Sequence, residues 1–244
     1  MKAPRIAVLV FPGTNSEEET VDACTAAGLD ARAVLWSESP ANLRDFAGYV
    51  LPGGFAFEDR VRAGAIAAKS PSVAVVAEEA ARGKLVLGLC NGAQVLAEAG
   101  LLGPIAIARN LPSRHFQCRI LDVELAAAPE RCALTAALPK AIRMKMAMAH
   151  GEGRFTGEPA LFDALERDQR ITFRYVGSAP NSAMHGAAGI CNDAGNVLAI
   201  MPHPERVAWN FNLAFDDPAL RGLDPMKTST SDLIFQSMAR ALNM

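Results

Sequence analysis

Through the first two-fifths of the chain, apolar positions fall in short unbroken runs separated by helical stretches. Residues 6–11 (Ile-Ala-Val-Leu-Val-Phe) run apolar without alternation and stop at Pro12-Gly13, as a strand buried on both faces does in a parallel sheet. Ser16 with Glu19 three residues on reads as a capping box. Glu17, Glu18 and Glu19 suit the positive end of a helix running to about Gly28. Strands follow at 31–36 and 48–51, the latter running into Pro52-Gly53-Gly54, then a helix over 72–82, a buried strand over 85–89 and a helix over 93–102. This spacing predicts an α/β fold with a doubly wound, mostly parallel sheet flanked by helices.

Beyond residue 105 the pattern loosens. Shorter strands are expected at 119–125, 142–149, 171–176, 187–191 and 197–201, the last two joined by an Asn192-Asp193-Ala194-Gly195-Asn196 hairpin turn. They predict a short antiparallel section in the C-terminal half. A final amphipathic helix is expected over 231–242, and residues 209–230 carry the weakest signal. Without repeats or a dividing linker, residues 1–244 read as a single domain, with 206–244 as a C-terminal extension.

Composition narrows the function. Half of the 244 residues are hydrophobic, and 24 basic against 26 acidic side chains leave a net charge of −2. That balance offers no electrostatic footprint for nucleic acid and no polybasic membrane patch. No apolar stretch approaches the ~20 residues of a transmembrane helix. The N-terminal apolar run ends at Pro12-Gly13 without a small-residue cleavage pattern, so it reads as a strand and not as a signal peptide. Five scattered cysteines with no CxxC match neither a disulfide framework nor a zinc site, and a cytoplasmic protein with reduced thiols is expected.

One cysteine differs from the rest. Gly88-Leu89-Cys90-Asn91-Gly92 joins a buried strand to a helix, a nucleophile elbow written with cysteine. The helix N-terminus favours a thiolate, and the Asn91 N–H faces an oxygen developing charge. Alternatively, Cys90 is a small buried hydrophobe. Of the histidines at 115, 150, 185 and 203, His203 alone carries its own orienting acid, in Met201-Pro202-His203-Pro204-Glu205. Pro204 favours an extended His203, which sets His203 and Glu205 side by side, base and acid of a triad. In Leu51-Pro52-Gly53-Gly54-Phe55, Gly53 permits a turn and Gly54 offers a second oxyanion N–H; an ordinary tight turn is the simpler alternative.

These pieces, in this order, resemble the class I (triad) glutamine amidotransferases, whose fold is flavodoxin-like. The resemblance implies that Cys90 is the nucleophile, His203 the base and Glu205 the orienting acid, with Gln94 binding the amino-acid end of glutamine. Phe11 to Asn15, Leu51 to Phe55 with Asp59 and Arg62 to Ala67, Ala149 to Gly153, Phe173 to Tyr175 and Met201 to Arg206 are similar, more narrowly, to the glutaminase subunits of phosphoribosylformylglycinamidine synthases. That similarity implies hydrolysis of glutamine to glutamate and ammonia through a cysteine thioester. Ammonia then passes to a synthase subunit, with or without a small accessory subunit, that converts formylglycinamide ribonucleotide to the amidine in purine biosynthesis. ATP and Mg²⁺ are expected on that partner and no cofactor or metal on this chain, which has neither a P-loop nor metal-ligand spacing.

Departures from the family are Phe57-Glu58 for Tyr-Gly, Ala93 for a bulkier residue, Asn181-Ser182 for Asn-Gly, and the longer tail. No catalytic role follows from sequence for His150 or Glu152, which read as partner contact or packing. His185 reads as a solvated loop histidine or, through its place near Asn181, as a border of the glutamine pocket, and Arg60 and Arg62 read as a face toward the synthase or toward solvent. A cysteine peptidase or deglycase on the same architecture would place its histidine close behind the cysteine, whereas Asn91 follows Cys90. A non-catalytic module would tolerate loss of Cys90.

Overall fold

The computed structural model describes residues 2–213 and 222–243. Its elements are β1 (Arg5–Val10), α1 (Glu17–Ala26), β2 (Asp30–Leu35), α2 (Pro40–Arg44), β3 (Gly48–Leu51), α3 (Pro71–Ala81), β4 (Leu85–Leu89), α4 (Asn91–Glu98), β5 (Ala106–Arg109), β6 (Gln117–Leu125), β7 (Arg143–His150), β8 (Glu152–Thr156), α5 (Pro159–Arg167), β9 (Ile171–Tyr175), β10 (Ala187–Cys191), β11 (Val197–Ile200), α6 (Asn210–Leu213) and α7 (Leu233–Leu242).

Nine strands form one sheet in the order β2-β1-β3-β4-β11-β10-β9-β6-β7. The first five run parallel, and β3, β4 and β11 are buried along their whole length, as their unbroken apolar sequences require. The antiparallel section is more than a short appendix: β10, β9, β6 and β7 continue the same sheet, joined through the 192–196 hairpin. Asn192 Oδ1 accepts the N–H of Asn196 and of Val197 and so holds that turn.

The section curls back on itself. Ala147, on the last strand β7, exchanges both backbone hydrogen bonds with His203, three residues past β11. A separate β5–β8 pair stands beside this wrap.

Several expectations shift. Ser16 precedes α1, but its hydroxyl makes no cap; it accepts the N–H of Gly53 at 2.9 Å instead. The predicted capping box is therefore absent, outcompeted by a contact 37 residues away in sequence. Helix α4 begins at Asn91, two residues early, because Cys90 itself is the N-cap. β5, β8 and α5 were not predicted. α5 buries Phe162 and Leu165 behind a Pro159 start, whereas β5 and β8 are short and only β8 alternates, burying Gly153 and Phe155. In the weak 209–230 stretch, Trp209 bridges Thr228 and α6 forms; residues 214–221 of that stretch lie outside the described residues.

Candidate active site

The site lies at the carboxyl ends of β3, β4 and β11, where an open α/β sheet collects its ligands. Cys90 follows β4 with φ +49° and ψ −103°, a conformation L-residues adopt at a cost. The two glycines around it are sterically required. A Cβ on Gly92 would sit 1.8 Å from the Leu51 carbonyl oxygen, and one on Gly88 would sit 2.8 Å from the Gly92 carbonyl oxygen. Helix, strand and elbow thus touch backbone to backbone. The Cys90 N–H is held by the Ile200 carbonyl at 2.8 Å, which ties this turn to the strand that leads to His203.

His203 is buried, and its Nδ1 lies 2.5 Å from Glu205 Oε1. The side-by-side arrangement arises differently from the extended run expected. His203 pairs with Ala147 as a strand residue would, but Pro204 is helical (φ −69°, ψ −33°) and Glu205 opens a 3-10 turn that folds its carboxylate back. Burial alone would drive the imidazolium toward the neutral form. Glu205 first, and then Cys90, outweigh it and raise the His203 pKa to about 10. Burial pushes the Glu205 carboxyl up, but the charge and hydrogen bond of His203 win and hold it below the ordinary value.

Gly53 makes room for this ring, since a Cβ there would lie 2.4 Å from His203 Cε1. Its N–H is committed to Ser16. The left-handed φ of the turn falls on Gly54 (+147°), whose N–H has no protein partner among the described residues. The Asn91 N–H, at the first position of α4, is likewise free of intrahelical bonding. Asn91 also organises the loop above it: Oδ1 accepts the Ala56 N–H at 2.9 Å, and Nδ2 donates to Asp59 at 3.0 Å and to Gln94 Oε1 at 2.8 Å. Gln94 in turn donates to the Glu152 carbonyl.

Gly54, Phe55, Asp59, Cys90, Gln94, Phe116, Ala149, His150, Gly151 and Glu152 line a cavity of about 150 Å³, the scale of one amino acid rather than the ~300–1,000 Å³ of a drug-sized ligand. The structure therefore brings Cys90, His203, Glu205, Gly53, Gly54, Asn91 and Gln94 together. Asp59 joins them without having been singled out by sequence. Burial lifts its carboxyl to about 6, against the Asn91 hydrogen bond and with help from the Glu152 charge. His150 and Glu152 also reach this cavity, whereas His185 stands apart between Asp163 and Glu166. Arg60 pairs with Glu58 and Arg62 with Glu98, at the surface. Of the other cysteines, Cys24, Cys132 and Cys191 are buried and Cys118 is exposed. Among the described residues, no group of three or more His, Cys, Asp or Glu side chains is arranged to hold a metal ion, and no helix is long and apolar enough to cross a membrane.

Comparison with known proteins agrees with this geometry. Phosphoribosylformylglycinamidine synthase subunit PurQ of Methanothrix thermoacetophila is 37% identical over 97% of this chain and 97% of its own. The PurQ subunit of Thermus thermophilus is 42% identical over 83% of this chain and 89% of its own. Among solved structures, PurLQS from Thermotoga maritima contains a chain that superposes with a TM-score of 0.80 at 31% identity, covering 98% of this chain and 99% of that one. Residues 3–240 match the CobB/CobQ-like glutamine amidotransferase domain, and the chain belongs to that family.

Proposed function

We propose that this chain is the glutaminase subunit of a phosphoribosylformylglycinamidine synthase, working through Cys90, His203 and Glu205. The observation that carries the reading is a cysteine at a strained elbow, its N–H tied to the strand that leads to a histidine held from behind by a buried glutamate, on the wall of a cavity sized for one amino acid. The Cys90 thiolate attacks the carboxamide carbon of glutamine, and the N–H groups of Asn91 and Gly54 hold the oxyanion. As the C–N bond breaks, the His203 imidazolium gives its proton to the departing nitrogen and ammonia leaves a glutamyl thioester. His203, now neutral, takes a proton from water; the hydroxide attacks the thioester, and glutamate leaves as the thiolate re-forms. Glu205 holds the Nδ1 proton throughout, so that Nε2 does the proton transfer.

At the other end of the cavity Asp59 and Glu152 present two carboxylates to the α-ammonium of glutamine, and Gln94 frames the same end. Ammonia then serves the synthase subunit, where ATP and Mg²⁺ drive conversion of formylglycinamide ribonucleotide to the amidine. Residues 1–244 act as one domain in the cytoplasm. The test is the assembled complex supplied with either glutamine or ammonium. Cys90→Ala should abolish glutamine-dependent synthesis and spare the ammonium-dependent reaction; equal loss of both, or of neither, removes the basis for the triad.

A further inference from the structure

Phe55 and Phe116 both line the cavity that holds Cys90, yet they are 45% and 53% exposed. Residues that line a cavity and stay half open to solvent stand at its mouth. Their rings meet there, with centroids 6.4 Å apart and planes tilted by 33°. The pair spans from one wall to another. Phe55 follows Gly54 directly, whereas the ring edge of Phe116 reaches the turn from β7 into β8: a Cβ on Gly151 would lie 4.0 Å from Phe116 Cδ2. Gly54 and Gly151 themselves line the cavity.

The two rings are held differently. The Phe55 N–H donates to the Gly13 carbonyl at 2.8 Å, and the Phe55 carbonyl accepts the Glu58 N–H at 2.8 Å. A Cβ on Gly13 would sit 2.2 Å from that carbonyl oxygen, so the Phe55 backbone is pinned on both sides. Phe116 ends the exposed stretch 112–116 between β5 and β6, where Asn110 Nδ2 reaches the His115 carbonyl only at 3.4 Å. One ring is fixed and its partner is free to settle against a ligand. Two phenyl rings left open side by side carry a hydration cost that a ligand covering them removes.

Glutamine has polar ends and an apolar middle. Its carboxamide belongs at Cys90 and its ammonium at Asp59 and Glu152, which leaves the Cβ and Cγ methylenes between. Among the lining residues, Phe55 and Phe116 are the large apolar side chains. We propose that these two rings close on the methylenes of glutamine, Phe55 as the fixed jaw and Phe116 as the adjustable one. They thereby select an amino acid with an apolar stem between its polar ends. The inference rests on the amide hydrolysis assigned above to Cys90. The contacts are the same in the bound substrate and in the thioester, so they act on binding and not on the chemical step.

The test measures glutaminase kinetics of the complex at saturating synthase subunit, so that weakened docking does not enter. Phe116→Ala should raise the KM for glutamine about tenfold, the scale of lost contact with two methylene groups, and hold kcat within about twofold. Phe116→Leu should recover most of the KM, and Phe55→Ala should repeat the alanine effect. Iodoacetamide, which has a carboxamide but no amino-acid end, reports on the thiol alone. Its rate of alkylation at Cys90, followed by peptide mass, should not fall in any variant. An unchanged KM in the alanine variants, a leucine variant as impaired as alanine, or a joint fall of kcat and Cys90 alkylation overturns the proposal and leaves the Cys90 reading intact. Wild-type complex that releases no glutamate from glutamine overturns the Cys90 reading itself.

Discussion

Replacing Glu58 by glycine should stabilise the protein. Glu58 sits at φ +59° and ψ 23°, next to the cavity residue Asp59, at the position where the family resemblance expects glycine. The left-handed region costs an L-residue about 1–2 kcal/mol, which glycine does not incur. Against that, glycine loses an additional ~0.5–1 kcal/mol of backbone entropy on folding. The variant also gives up the Glu58–Arg60 ion pair, 2.9 Å long but with side chains 75% and 70% exposed, a class of contact worth ~0–1 kcal/mol. Taken at the middle of each range, the balance is a gain of about 0.25 kcal/mol, or a rise in Tm of about 0.5–1 °C for a chain of this size. Differential scanning calorimetry resolves that, with Arg60→Ala removing the ion pair alone so that its share can be subtracted. The converse control is Gly100→Ala, at φ +78° with open space where the Cβ would go; there a strain of about 1–2 kcal/mol exceeds the ~0.5–1 kcal/mol of backbone entropy recovered, and Tm should fall. A Glu58→Gly variant that melts below both wild type and Arg60→Ala would refute the assignment of strain to this residue.

Three further outcomes follow from the site. Gly92→Ala forces the helix off β3 by more than an ångström and displaces Cys90 with it. Glutamate release should fall about a hundredfold or more, with ammonium-dependent synthesis retained. Glu205→Gln should flatten the alkaline arm of the stability profile. In the wild type the folded state keeps the His203 proton up to about pH 10, while the unfolded chain releases it near 6.5. That stabilisation is complete below pH 6.5 and is lost as pH rises through 10, by up to ~1.4 kcal/mol per unit; urea midpoints at pH 6, 8 and 10 measure it, and parallel curves for the two proteins would refute it. Asp59→Asn should raise the KM for glutamine more than it lowers kcat. Because Asp59 is charged only above about pH 6, the wild-type KM should climb as pH falls through that value and the variant's should not.

The proposed triad is legible in the chain because its constraints are local. Gly88 and Gly92 flank Cys90 in sequence because they collide with the same turn in space, and Glu205 reaches His203 across a single proline. The remainder depends on contacts distant in sequence. Ser16 looked like a helix cap until Gly53 claimed its hydroxyl, and nothing near Gly53 announces that its missing Cβ is filled by His203. Asp59 reaches the cavity because Phe57, Glu58 and Asp59 itself all take positive φ, which no propensity scale anticipates for those residues. His150 and Glu152 owe their places to the turn from β7 into β8, and β8 is too short to be recognised by alternation. Helix α5 was legible in principle, from Pro159 at its start and Phe162 and Leu165 one turn apart.

The pairing of Ala147 with His203 has a consequence for how the molecule can associate. An open sheet has two edges, each a template for another strand. Here the outer side of β7 is occupied, by His203 at Ala147 and by the Ser231 hydroxyl on the Lys145 carbonyl. The same wrap that sets the base in place also blunts one edge of the nine-stranded sheet. Strand addition, by a second copy or by a misfolded neighbour, is left with β2, where the exposed Asp30–Arg32 pair meets the incoming chain with charge.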